Sequence, residues 1–184
     1  MPQRARGAAA ERGLCRRIAA LFVVAALASS MSGCSLEGGG GQSKTAAEAQ
    51  MSKLPGVTEA LVNTKSRPSG LQVETTTTID VTLDPGATVP DPAALVDYLL
   101  RVAWSTATKE ADSRIVLMVY SEPQISVLDA LDKGDWTTSG GTANAEYLAI
   151  VRATEVRDRF GDWPGEVPEL PTGLIIARRS SPTP

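Results

Sequence analysis

Between residues 71 and 83, Leu71, Val73, Thr75, Thr77, Ile79, Val81 and Leu83 alternate with Gln72, Glu74, Thr76, Thr78, Asp80 and Thr82. Successive side chains of a strand point to opposite faces, so this run makes a strand with one buried face and one wet face. A helix would smear the same apolar residues around its circumference. The chain must therefore lay a cover over one face and leave the other, rich in threonine, to water. Just upstream, Arg67-Pro68-Ser69-Gly70 reads as a turn, and residues 57–66 (VTEALVNTKS) read as a second strand. The two strands form an antiparallel hairpin.

The cover follows. Asp84-Pro85-Gly86 ends the strand, and Asp91 caps a helix with Pro92 at its first position. Leu95, Val96, Leu99, Val102, Ala103 and Thr106 fall within about 60° of one line on a helical wheel. Asp97 and Arg101 sit opposite, spaced i,i+4 as an ion pair. Residues 114–120 (RIVLMVY) are apolar on both faces and read as a central strand. Residues 125–133 read as a short helix with Leu128 and Leu131 inward and Gly134 as its stop. Residues 137–142 (TTSGGT) are a loop. Residues 145–160 allow two readings: one helix, or a strand over 147–152 followed by a short helix capped by Thr154. The second leaves a polar face and is preferred. From Asp162 the chain holds Pro164, Pro168, Pro171, Pro182 and Pro184. It reads as an extended strap held through Trp163, Leu170 and residues 174–176. This order predicts an α+β fold: a small two-layer α/β sandwich, with a mostly antiparallel sheet of about four strands and helices on one face.

The first 17 residues carry Arg4, Arg6, Arg12, Arg16 and Arg17 against one acid, Glu11. An uncharged run over 18–28 and small residues over 29–33 come next. A basic start, an apolar stretch of this length and a small-residue exit mark a secretory signal. The stretch is short for a transmembrane helix, which needs about 20 residues. Met31-Ser32-Gly33-Cys34 closes it, and resembles the lipobox of bacterial lipoproteins. The resemblance implies cleavage before Cys34 and a diacylglycerol on its sulfur. An ordinary secreted protein and an uncleaved anchor are the alternatives, and Arg16-Arg17 leaves export by the Sec or the twin-arginine route open. The whole layout is an Ala- and Arg-rich leader, a Gly-rich stretch and a small domain ending FGDWPG. It resembles small lipoproteins of actinobacteria, which implies an address and no activity.

Four segments are expected: a signal over 1–33, a flexible Gly-rich tether over 34–53, one domain over 54–178 and a disordered tail over 179–184. As a coil, the stretch 35–52 would span roughly 20–25 Å. From Cys34 onward there are 13 Lys and Arg against 20 Asp and Glu, a formal charge of −7. Such a charge disfavours nucleic acid, whose binding rests on neutralising phosphates, and argues against close contact with anionic headgroups.

The chain contains no histidine, which removes Ser-His-Asp and Cys-His nucleophile systems and the ordinary neutral-pH general base. Cys15 lies in the leader and Cys34 takes the lipid, so the mature domain has no disulfide and no Cys/His zinc site. Asp129, Asp132 and Asp135 lack the order of a calcium loop and read as a solvated face. Carboxylate pairs such as Glu122 with Asp129 can be named in any acidic chain and carry no signal, and Ser139-Gly140-Gly141 lacks the Gly-Lys pair of a phosphate loop. Trp136 and Trp163 read as plugs at the core edge. Trp104 falls about 140° from the line through Leu99, beside Asp97 and Arg101. Leu100, Arg101 and Trp104 are accordingly expected to form an exposed contact patch for a partner, with coverage by the Pro-rich strap or by the loop over 134–142 as the alternative. No catalytic residue, metal or cofactor is expected. The predicted function is a non-catalytic binding or accessory module in the envelope. It would be lipid-anchored through Cys34 on the extracytoplasmic side of the cell membrane and contact a protein partner there. A small-ligand-binding protein and a carboxylate-based hydrolase of cell-wall material are the alternatives.

Overall fold

A computed structural model describes residues 41–138 and 146–178, all within one compact unit. The elements in order are α1 (Lys44–Met51), β1 (Val57–Ser69), β2 (Gln72–Leu83), α2 (Pro92–Ser105), β3 (Arg114–Tyr120), α3 (Val127–Lys133), β4 (Leu148–Arg152) and α4 (Ala153–Phe160). The four strands lie side by side in the order β1-β2-β3-β4. The β1–β2 and β3–β4 pairs are antiparallel and the β2–β3 pair is parallel. A parallel pair needs a crossover, and α2 supplies it. The fold is α+β, with a mixed, mostly antiparallel sheet.

The helices pack on one face. Ala60, Val62, Ile79, Val81, Leu83, Ile115, Leu117, Val119, Ala149 and Val151 are buried there, under Leu95, Val96 and Leu99 of α2 and Val127, Ala130 and Leu131 of α3. α2 starts where its capping residues place it: the Asp91 carboxylate accepts the Ala94 N–H at 3.0 Å, with Pro92 at the first turn. In residues 146–160 the strand-then-helix reading holds. The helix begins at Ala153, one residue before the expected Thr154 cap, and no side chain caps it.

Three expectations are corrected. First, the hairpin turn is Gly70-Leu71 and not residues 67–70. Ser69 pairs with Gln72, and Gly70 takes the positive φ (62°) that such a two-residue turn demands. β1 thus runs three residues further than its apolar pattern, and Pro68 is tolerated because β1 is an edge strand. Second, the domain begins near residue 41 rather than at 54. Residues 44–51, expected to be tether, form α1, capped by the Ser43 hydroxyl at 3.2 Å from the Ala46 N–H. Ala47 and Met51, one turn apart, are fully buried with Leu54. The Glu48 carboxylate accepts the outward N–H of Val62 at 2.9 Å, so α1 covers part of the β1 edge. Third, the alternation of residues 71–83 outlasts its cover. Thr75, Thr77, Ile79, Val81 and Leu83 are buried, whereas Leu71 and Val73 are exposed, because β3 begins only opposite Thr76.

The strap over residues 161–178 has neither helix nor strand and crosses the domain as expected. Ile175 is buried, Trp163 and Leu174 pack on the core, and Thr88 and Ile176 exchange backbone hydrogen bonds of 3.0 and 2.8 Å. Leu170 is exposed and is not an anchor.

Candidate functional site

Two of the three residues expected to form a contact patch are interior. Leu100 is fully buried and Trp104 is 1% exposed. The strap covers Trp104: its indole N–H donates to the Gly161 carbonyl at 2.9 Å, and the Gly165 N–H donates to the Trp104 carbonyl at 3.2 Å. The wheel places Trp104 correctly away from the sheet, but that side of α2 is a second buried side. Arg101 alone of the three stays exposed. Its Nε donates to Asp97 Oδ2 at 2.8 Å and its guanidinium lies 4.2 Å from the Phe160 ring centre. A hollow of about 260 Å³ remains between Arg101, Phe160 and the strap.

The other candidates separate. Asp129 and Asp132 sit on α3 and Asp135 in the turn after it, all exposed. Among the described residues no three acids, histidines or cysteines converge. Trp136 is buried, edge-on to Phe160 at 5.5 Å, with the Arg159 guanidinium 3.8 Å from its ring. Cys34, the residues preceding 41, Ser139-Gly140-Gly141 and the tail beyond 178 lie outside the described residues.

The site that emerges is the sheet face opposite the helices. Register sets its rows. Leu61, Asp80, Met118 and Leu148 line up across the four strands, and Asn63, Thr78, Val116 and Ile150 form the next row. On one side the following row is Lys65, Thr76, Arg114 and Arg152, with Arg67 and Glu74 beyond. On the other side stand Glu59, Thr82 and Tyr120. Leu61 is 46% exposed, Tyr120 37% and Tyr147 36%. Val116, Met118, Leu148 and Ile150 are half-buried, with no described helix packed over them. Tyr120 and Tyr147 stack with ring centres 5.0 Å apart.

This face is graded in charge. Lys65, Arg67, Arg114 and Arg152 stand at one end, with Glu74 3.5 Å from Arg114. A shallow hollow of about 310 Å³ lies among Lys65, Arg67, Glu74, Thr78, Arg114 and Ile150. Glu59 and Asp80 stand at the other end. Partial burial raises the Asp80 carboxyl above the usual carboxylate range, and the Glu59 charge adds to the rise. Burial also raises the Tyr120 phenol, with Asp80 and Tyr147 contributing.

The sequence carried one signal for this site. Residues 114–120 are apolar on both faces, and a sheet covered on one side only must show the second apolar face to the outside. Reading that strand as simply central hid the consequence. Comparisons with protein-family models, with curated proteins and with solved structures find no match to this chain.

Proposed function

We propose that this chain is a lipid-anchored envelope protein whose domain binds a protein partner through the open face of its sheet, without catalysis. The observation that carries the binding reading is the band of Leu61, Val116, Met118, Leu148 and Ile150, half-buried to exposed and without cover from any described element, between a cationic and an anionic end. Aliphatic and aromatic groups in a continuous band, rimmed by charge, are the composition of a recognition surface. The partner that fits presents aliphatic side chains at its centre, acids facing Lys65, Arg67, Arg114 and Arg152, and bases facing Glu59 and Asp80.

Anchoring rests on Met31-Ser32-Gly33-Cys34 at the exit of the basic-then-apolar leader. The hollows beside Arg101 and beside Arg114, of about 260 and 310 Å³ among the described residues, are at or below the small end of small-molecule sites. Their size favours the binding module over the small-ligand alternative.

Two measurements test this reading. A photo-cross-linking side chain at Ile150 in native membranes should capture a partner, while the same group at the exposed Lys133, on the helical layer, should not. Equal capture from both positions, or capture from Lys133 alone, overturns the binding surface. Labelled fatty acid should enter the wild type and be lost in Cys34→Ala, and equal label in the two overturns the anchor.

A further inference from the structure

The β1–β2 hairpin projects past the rest of the sheet. β3 starts at Arg114 opposite Thr76, so residues 72–75 of β2 pair with β1 alone. From Thr75 to the turn is four residues, about 13 Å of strand. Beyond Thr75 no residue of the hairpin is buried. Its outer end is nonetheless apolar: Pro68 and Val73 are paired, Val73 is 54% exposed, and Leu71, the second residue of the turn, is fully exposed at 107%. Two-residue turns favour glycine, asparagine and aspartate, and neither the turn nor the packing calls for a leucine here.

Cations surround the root of this hairpin on both faces. Lys65 and Arg67 lie on the open face and form no ion pair among the described residues. On the helical side the Lys109 ammonium donates to the Ser66 hydroxyl at 2.8 Å. The acids nearby are engaged: Glu74 with Arg114, Glu110 with Arg157, and Asp112 with the Thr75 N–H at 2.6 Å. The opposite end of the domain carries Glu59, Asp80, Asp84, Asp91 and Glu122. A net charge of −7 from Cys34 onward therefore hides a separation of sign, and the expectation of repulsion from anionic headgroups does not extend to the hairpin end.

The chain enters the domain at this same end. The Gln42 N–H donates to the Ser105 carbonyl at 2.7 Å, and the Ala107 N–H donates to the Gln42 carbonyl at 2.8 Å. The loop continuing from Ala107 reaches the hairpin root, where the Ser113 N–H donates to the Thr75 carbonyl at 3.2 Å. Only six residues lie between Cys34 and Gly41, so the two are at most about 25 Å apart along the chain.

We infer that the tip of the β1–β2 hairpin contacts the membrane surface, with Leu71, Val73 and Pro68 entering the headgroup layer and Lys65, Arg67 and Lys109 facing anionic lipid. The inference rests on the anchoring reading, since the lipid on Cys34 is what confines this end of the domain near the bilayer. A single anchor then serves a second purpose: it makes hairpin contact intramolecular, so a weak contact suffices to orient the domain. With the tip down, the open sheet face stands sideways to the membrane, free to meet a partner.

The test uses the full acylated chain in vesicles of phosphatidylcholine and phosphatidylglycerol. Acylation of Cys34 leaves no other thiol in the mature protein, so Leu71→Cys and Asp84→Cys each accept one environment-sensitive fluorophore. Lipids carrying a nitroxide near the headgroup should quench the label at position 71 several-fold more than the label at position 84. Lys65→Glu with Arg67→Glu, both exposed and outside the core, should reduce that quenching, as should raised salt. Equal quenching at the two positions in chains that float with the vesicles overturns the inference and leaves the anchor standing. Chains that do not float overturn the anchoring reading and the inference together. A blue shift at position 71 that grows with protein concentration in the absence of vesicles assigns the tip to a second copy and also overturns it.

Discussion

Gly165 lies against the indole of Trp104 so closely that a Cβ on residue 165 would stand 2.7 Å from Trp104 Cδ1. No carbon tolerates that distance, so the contact specifies glycine for reasons of space. Gly165→Ala should lift the strap and cost about 1–3 kcal/mol, the usual penalty of overpacking. The difference in emission between wild type and Trp104→Phe isolates this indole. It should be blue-shifted and protected from iodide in the wild type, and shift to the red in a Gly165→Ala background. A red-shifted, readily quenched Trp104 in the wild type would show that the strap does not cover it.

Met51 places α1 in the domain. Its side chain is fully buried with Ala47 and Leu54, so Met51→Ala should cost about 2–5 kcal/mol, read from the midpoint of urea unfolding. Lys44→Ala, on the exposed side of the same helix, should stay within about 0.5 kcal/mol. A chain starting at Leu54 should fail to give a cooperative transition; a sharp transition there would return residues 42–53 to the status of a tether.

Ile79 and Thr78 are neighbours on opposite faces of β2. Ile79 is fully buried, and Ile79→Asp should unfold the domain by placing an unpaired charge in the core. Thr78 lies half-exposed beside Val116. Thr78→Asp should change stability by no more than about 1 kcal/mol and should abolish partner capture from position 150. Thermal melts of the two variants separate these outcomes, and equal damage from both would mean that the second face is also buried.

Tyr98 gives stability a pH dependence. It is buried on α2, and burial pushes its phenol up to about 12, with the Gln50 side chain offsetting part of the rise. Tyr98 Oη and Gln50 Oε1 are the buried side-chain polar atoms without a well-formed hydrogen bond among the described residues. The folded protein holds this proton more tightly than the unfolded chain does. The contribution is therefore intact below about pH 10, the ordinary tyrosine value, and is lost as pH rises toward about 12. Tyr98→Phe should flatten this alkaline loss in urea titrations at pH 9 to about 12, and an unchanged slope would place the phenol in water.

Local chemistry made much of this fold legible. Residues 71–83 specify a strand because period-two alternation depends only on the pleat. Asp91 and Pro92 start α2 because caps act within one turn. The strand and helix at the end of the domain could be separated because a single helix there would have left no polar face. What local chemistry could not show is where a covering layer stops and whether a second layer exists. Leu71 and Val73 continue the buried phase of β2 yet stand in water, since β3 is four residues too short to carry the cover outward. Trp104 reads as surface on its own helix and is core, since a strap about 60 residues later in sequence closes over it. Ala47 and Met51 are too few apolar residues to announce a helix, and they become one only because the β1 edge gives them something to cover. Periodicity reports which way a side chain points; burial depends on what arrives from elsewhere in the chain to meet it.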